Sequence, residues 1–432
     1  MKRFFFVMAI LLLATNVFAQ SKLAHAPIAP ATNSESAGFS SERLNRIDTM
    51  LQGYVTRERV NGVVGMLVHD GKIVYHKSFG YDNVEAKTPM KKDAIFRMAS
   101  QTKAITSVAV MMLYEEGKFD LDDPVFYYIP EFRNLKVLDK FNKEDSTYTT
   151  VSAKRAITIR DLLTHTSGIG YAQIGSPEAK AIYYKAGVVG GIGVGKIKLA
   201  DKMKILGGLP IFHQPGEKFT YGLNTDLLGY LVEVVSGISL DEFFRKRIFE
   251  PLGMKDTYFY LPKEKQSRLV TLYSEDRNTR KVVKTEPTIM IGKDEFTSDY
   301  PKMDGTYYSG GGGLSGTIYD YAIFLQMLLN GGEYNGKRIL SPTIVNMMTM
   351  DQIGDVNGGV NDIGLGFGVV TKKGSAVMPW HEGSYEWGGM FATTYWVDPQ
   401  SKLVALIYRN VYPTSLGRIV DQFKVMSYAA MN

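Results

Sequence analysis

The sequence predicts an α+β fold: an antiparallel sheet flanked by helices, built from both ends of the chain, with a mostly α-helical domain inserted between them. Three observations carry this expectation. An amphipathic helix and a hairpin stand near the start, strand-like runs return near the end, and the long middle section carries helical patches, loops and charged insertions. The α/β domain is accordingly assigned to residues 41–120 and 305–432, and the inserted domain to 121–304. No internal repeat is visible.

The chain opens with Met1-Lys2-Arg3, an apolar run from Phe4 to Ala14, and Val17-Phe18-Ala19. A basic start, an apolar core and a small residue before the cut make a secretory signal peptide over residues 1–19, cleaved after Ala19. The run is too short for a transmembrane span of about 20 residues. The mature protein is therefore expected to be exported, periplasmic or secreted, with no membrane span. There is no cysteine, so a lipid-modified N-terminus is excluded and stability has to come from core burial instead of cross-links. The net charge of +6 is spread along the chain, and cleavage removes two of the positive residues. The densest basic run, Arg277 to Lys281, lies in a turn-rich segment, so there is no nucleic-acid footprint.

Residues 20–40, rich in Ala, Ser, Pro and Asn, read as a flexible lead. A helix starts near Ser41 with Leu44, Ile47, Leu51 and Val55 on one stripe. Gly65–His69 and Ile73–Lys77, joined through Asp70-Gly71, form a hairpin pattern. The next helix is apolar or small at almost every position from Ala104 to Leu113 and stops at Gly117, so it is buried on nearly all sides. In the middle section the clearest helices are Thr158–Leu163 and Asn224–Val235. A helix with an acidic capping box, Thr317-x-x-Asp320, runs to Gly331-Gly332. Strands follow at Gly364–Thr371, Phe391–Trp396 and Leu403–Tyr408, and a last helix covers Leu416–Ala429. Insertions near 136–156, 170–200 and 262–300 are expected to shape a pocket rim. Gly190 to Lys196 resembles a phosphate loop but lacks the Ser/Thr that would hold Mg²⁺, and reads as a flexible loop. Gly310–Gly313 reads as a close backbone approach or a hinge beside the cleft.

Ser100 and Lys103 open the buried helix three residues apart, on one face. A serine at a helix start is ordinarily a cap, but a lysine beside it at the head of an apolar helix is not explained by packing. The pair reads as a nucleophile next to a proton acceptor. A lysine serves as base where burial or a nearby cation favours the neutral amine, and a tyrosine phenol can share the proton. The six histidines (25, 69, 76, 165, 213 and 381) have no metal-ligand spacing, so no metal and no cofactor is expected. No Gly-x-Ser-x-Gly elbow is present.

Phe96-Arg-Met-Ala-Ser100-Gln-Thr-Lys103 resembles the first motif of the penicillin-recognising serine hydrolases, which include class C β-lactamases, D-Ala-D-Ala carboxypeptidases and the family VIII esterases. Asp161 to Gly168, Gln214 to Tyr221 and Glu250 to Met254 resemble further segments of that superfamily, in its order. The resemblance spans residues 42–425 and implies the β-lactamase/DD-peptidase-like fold. It implies Ser100 as nucleophile with Lys103 and Tyr221 as general base and acid. Leu223 stands where the family's Tyr-x-Asn motif has Asn, a departure shared with the esterase-like branch, where an acid further on matches Asp226. Asn224 and Asp226 are possible site residues, and helix capping or packing accounts for them equally well. No Lys-Thr-Gly occurs; Trp387-Gly388-Gly389-Met390 is similar to the esterase-like third motif, with the N–H groups of Met390 and Ser100 as the oxyanion hole. His381-Glu382-Gly383 is an alternative register. With Trp387 at that position the basic residue for a β-lactam carboxylate is missing. The implied activity is cleavage of an ester or amide in a small-molecule or peptide substrate through an acyl-enzyme on Ser100. The alternatives are a D-amino-acid peptidase or β-lactamase, and a non-catalytic binding protein of the same fold.

Overall fold

The computed structural model describes residues 26–291, 294–357, 359 and 361–432, so the expected signal peptide and the start of the lead lie outside the described residues. The principal sheet is formed by β1 (Ala29–Pro30), β2 (Gly62–His69), β3 (Lys72–Asn83), β4 (Asn361–Ile363), β5 (Gly368–Val370), β6 (Tyr385–Gly389), β7 (Thr393–Asp398) and β8 (Leu403–Tyr408). Across the sheet the order is β1-β3-β2-β8-β7-β6-β5-β4, with Thr88–Pro89 paired to β3. The two ends of the chain meet where β8 pairs antiparallel with β2, from Leu403 opposite His69 to Tyr408 opposite Val64. One pair departs from the expected antiparallel sheet: β1 runs parallel to β3, making the sheet mixed.

Side-chain alternation along the central strands creates two cores. Leu403, Ala405 and Ile407 of β8 face one side, with Trp396 of β7. They are covered there by α1 (Ser41–Thr56) and by the C-terminal helix Arg418–Ala429, through Leu44, Ile47, Leu51 and Phe423. Val404, Leu406 and Tyr408 face the other side, with Val64, Met66 and Val68 of β2. Covered on both faces, β8 is one unbroken apolar run. Within the second core lie α2 (Thr102–Glu115), buried from Thr102 to Leu113, α3 (Ile159–Leu163), α4 (Asn224–Ser236) and α5 (Ile318–Leu329). The C-terminal helix, Arg418–Ala429, is α6.

Gly310–Gly313 is a close backbone approach. A Cβ on Gly310 would lie 2.5 Å from the Thr225 carbonyl of α4, while Thr106 of α2 donates to the Gly310 carbonyl at 2.7 Å. Only glycine lets this strip run between the two helices.

Three expectations are corrected. The lead is ordered over 26–40: Ile28 and Phe39 are buried anchors, the Ile28 N–H donates to the Tyr334 hydroxyl, and the Ser40 hydroxyl caps α1. Of the run Gly364–Thr371 only Gly368–Val370, β5, is strand: Gly364–Phe367 forms the turn from β4, passing through Gly366, whose φ of 94° suits glycine. The box at the start of α5 is half formed, because the Asp320 carboxylate accepts instead from the Asp256 N–H and the Thr257 hydroxyl. The section between residues 121 and 304 carries, beside its helices, three hairpins: Lys136–Phe141 with Tyr148–Ser152, Tyr273–Glu275 with Val282–Lys284, and Thr288–Ile291 with Asp294–Thr297.

Phe423 tests the first core. It is fully buried, its ring stands edge-on to Trp396 at 5.9 Å, and it packs on the bare Cα of Gly65. Phe423→Ala is expected to cost about 3–5 kcal/mol of unfolding free energy in a urea titration. A loss below about 1 kcal/mol would contradict the assignment of α6 as the lid of this core.

Candidate active site

The turn that carries Ser100 is held from behind by a buried cation. Phe96–Arg97 pairs antiparallel with Ser315–Gly316, and the fully buried Arg97 guanidinium donates to the carbonyls of Val270 and Ser298, at 2.6 and 2.8 Å, and to Asn410 Oδ1 at 3.1 Å. Its remaining nitrogen pairs with Asp299 at 3.3 Å. Ala99 then takes a left-handed conformation, φ 45°, a strained choice for a residue with a Cβ. It opens a short 3₁₀ turn, Ala99–Gln101, that runs straight into α2. Ser100 sits in this turn, one step before the α-helix proper.

Lys103 is 2% exposed and its Nζ donates to three acceptors: the Gly311 carbonyl at 2.6 Å, the Tyr171 hydroxyl at 3.1 Å and Ser100 Oγ at 3.3 Å. An ammonium has three protons, so its capacity is filled. The Tyr221 hydroxyl donates to Ser100 Oγ at 2.7 Å, and the Tyr221 ring lies 4.7 Å from Lys103 Nζ, within cation–π range. The structure thus brings Ser100, Lys103 and Tyr221 together. Tyr171 was not anticipated. Burial, together with the neighbouring Tyr221 and Asp226, pushes its phenol well above the ordinary range, so it stays protonated. Its only sequence signal is its place three residues after Gly168 in the Asp161–Gly168 segment.

Asn224 and Asp226 open α4 behind this group, and neither lines the cavity. Asn224 Nδ2 donates to His165 Nδ1 at 2.9 Å and its Oδ1 accepts from the Ser167 hydroxyl. His165 is held as a neutral acceptor: burial, with the Lys103 charge, lowers its pKa to about 3. Its ring lies 4.9 Å from that of Tyr221, so Asn224 fastens the backing of the tyrosine. Asp226 Oδ1 accepts from the Ser309 hydroxyl at 2.5 Å, and burial raises its pKa. A Cβ on Gly311 would fall 2.3 Å from Asp226 Oδ2, which makes glycine necessary where the carbonyl meets Lys103.

β6 supplies the other side. Trp387 packs its ring 5.9 Å from Tyr221, while Gly388 and Met390 line the cavity that holds Ser100. Gly389 presses against the turn that carries Ser100, since a Cβ there would lie 2.1 Å from the Met98 carbonyl. The cavity measures about 310 Å³, and its walls include Ile174, Ile192, Ile291 and Phe296. No charged side chain occurs among the described residues that line it. The alternative register through His381 is displaced from it. Gly389 pairs with Thr393 at one end of β7, whereas His381 bonds Asp398 at the other, 2.8 Å away. The two ends are roughly 17 Å apart at about 3.4 Å per residue. Among the described residues no group of His, Cys, Asp and Glu is placed to hold a metal ion, and no helix is long and apolar enough to cross a membrane.

Residues 47–425 match the Beta-lactamase family model. Protein Rv1367c of Mycobacterium tuberculosis is 34% identical over 361 residues, covering 80% of this chain and 85% of that protein. Esterase EstB of Burkholderia gladioli is 29% identical over 372 residues, covering 84% and 90%. Among solved structures, EstCE1, described as a hydrolase with promiscuous acyltransferase activity, matches with a TM-score of 0.77 at 25% identity, over 89% of this chain and 98% of that one. The chain belongs to the β-lactamase family and is a serine hydrolase of the penicillin-recognising superfamily.

Proposed function

We propose that this protein is an exported esterase that cleaves uncharged carboxylic esters through an acyl-enzyme on Ser100. One observation carries the reading: Ser100 Oγ lies within hydrogen-bond reach of Tyr221 and Lys103 in a cavity whose described lining has no charged side chain. A β-lactam or a peptide C-terminus would bury a carboxylate there without a partner, which is costly. The esterase EstB supports the same choice.

The geometry suits the chemistry. When Lys103 is neutral, its two N–H groups are taken by the Gly311 carbonyl and Tyr171, and its lone pair is left facing Ser100. The serine proton passes to the Lys103–Tyr221 pair as Oγ bonds to the ester carbonyl carbon. The carbonyl oxygen gathers charge against the N–H groups of Ser100 and Met390. As the bond from carbon to the alcohol oxygen breaks, Tyr221 hands that oxygen the proton. Water then attacks the acyl-enzyme by the reverse proton path. An alcohol acceptor would give a new ester instead, in keeping with the description of EstCE1.

Intact-mass spectrometry of the protein secreted by a bacterial host tests this reading. The mass should start at Gln20, gain one fluorophosphonate, gain no penicillin, and lose the labelling in Ser100→Ala. Turnover of p-nitrophenyl esters with none of a chromogenic cephalosporin completes the expectation. A penicillin adduct on Ser100 would move the function to the peptidase or β-lactamase branch. A mass that retains Met1 would overturn export. In steady-state kinetics Lys103→Met and Tyr221→Phe should each lower kcat by about 10²–10⁴-fold. A change of less than about tenfold in Tyr221→Phe would remove it from proton transfer.

A further inference from the structure

The glycine-rich segment Gly190–Gly195 forms part of the catalytic cavity, through Gly190 and Ile192. Its glycines have separate reasons. Gly191, φ 87°, lies against the buried Asp226–Ser309 pair: a Cβ there would stand 2.6 Å from Ser309 Oγ and 3.1 Å from Asp226 Oδ1. Gly193, φ 69°, lies against the hairpin Thr288–Ile291/Asp294–Thr297, where a Cβ would stand 2.7 Å from Phe296 Cβ. The next carbonyl, that of Val194, accepts from the Tyr260 hydroxyl at 2.8 Å. Ile192 is thus clamped between two backbone contacts that admit no side chain. It reaches the strip beside the nucleophile, because a Cβ on Gly312 would lie 3.4 Å from Ile192 Cγ1 and 3.9 Å from the Ala99 carbonyl carbon.

The cavity has two chemically different sides. Tyr221, which is to protonate the leaving alcohol, packs with Trp387 and Tyr171. Ile192 belongs instead to a hydrophobic cluster with Ile291, Phe296 and Met390. Accordingly, we propose that Ile192 sets the length limit of the acyl group, which is uncharged, aliphatic or aryl, and of short to medium size. This rests on the esterase reading of Ser100. Each methylene that fits against the cluster is expected to raise kcat/KM about fourfold, until the chain meets Ile192.

The test measures kcat/KM for p-nitrophenyl acetate, butanoate and octanoate with the full secreted chain, as wild type, Ile192→Ala and Ile192→Phe. Ratios between esters are used, since they are independent of how much protein folds. Ile192→Ala should raise the octanoate-to-butanoate ratio about tenfold, and Ile192→Phe should raise the acetate-to-butanoate ratio by a similar factor. Ratios unmoved in both variants, in an enzyme whose Ser100 takes up fluorophosphonate and turns esters over, would overturn the Ile192 assignment alone. A wild type that neither labels nor hydrolyses any of the esters would overturn the esterase reading and this one with it.

Discussion

The arrangement depends on a buried amine that must be satisfied. Lys103 is shut off from water by α2 and its neighbours, so each of its protons needs an acceptor placed by the fold. Two acceptors are immovable: the Gly311 carbonyl, on a strip wedged between α2 and α4, and Tyr171, whose buried phenol stays protonated. The third is Ser100 Oγ, at 3.3 Å.

That requirement explains why so much unrelated chain converges here. Arg97 ties the Ser100 turn to Val270, Ser298 and Asn410, binding the inserted section and the end of β8 to one guanidinium. Gly389 presses the edge of β6 onto Met98. Asn224 holds a neutral His165 behind Tyr221, and Asp226 holds Ser309 beneath the glycine loop. Sheet pairing between β2 and β8 makes the two halves of the chain one platform. The strain at Ala99 is carried by this surrounding packing.

Much of this was legible in the sequence, and the reasons differ by residue. Ser100 and Lys103 stand out because polar groups at the head of an apolar helix have no packing explanation. Tyr221 and Trp387-Gly-Gly-Met390 are legible through their resemblance to family motifs; the structure places Tyr221, Gly388 and Met390 around Ser100, Trp387 against Tyr221 and Gly389 against Met98. The central strands were visible as apolar runs because both faces are covered. Tyr171 was not visible, since a tyrosine in a loop carries no local pattern and its role exists only through a contact 68 residues away. The three hairpins are short, and Tyr148–Ser152 is exposed at every position, so no buried-exposed alternation marks it. In the lead, composition hides two anchors, Ile28 and Phe39, among small residues. By composition alone the glycine loop reads as flexible. Its glycines answer to close contacts with Ser309 and Phe296, which composition does not record.

The central claim is a covalent acyl intermediate on Ser100, and rapid quench with a slowly deacylating ester tests it most directly. Acid quench during turnover, followed by peptide mapping, should find the acyl group on the peptide carrying Ser100. It should accumulate in a burst equal to the enzyme present and vanish in Ser100→Ala. Turnover without any acylated Ser100 peptide, or acylation at another residue, would contradict the account.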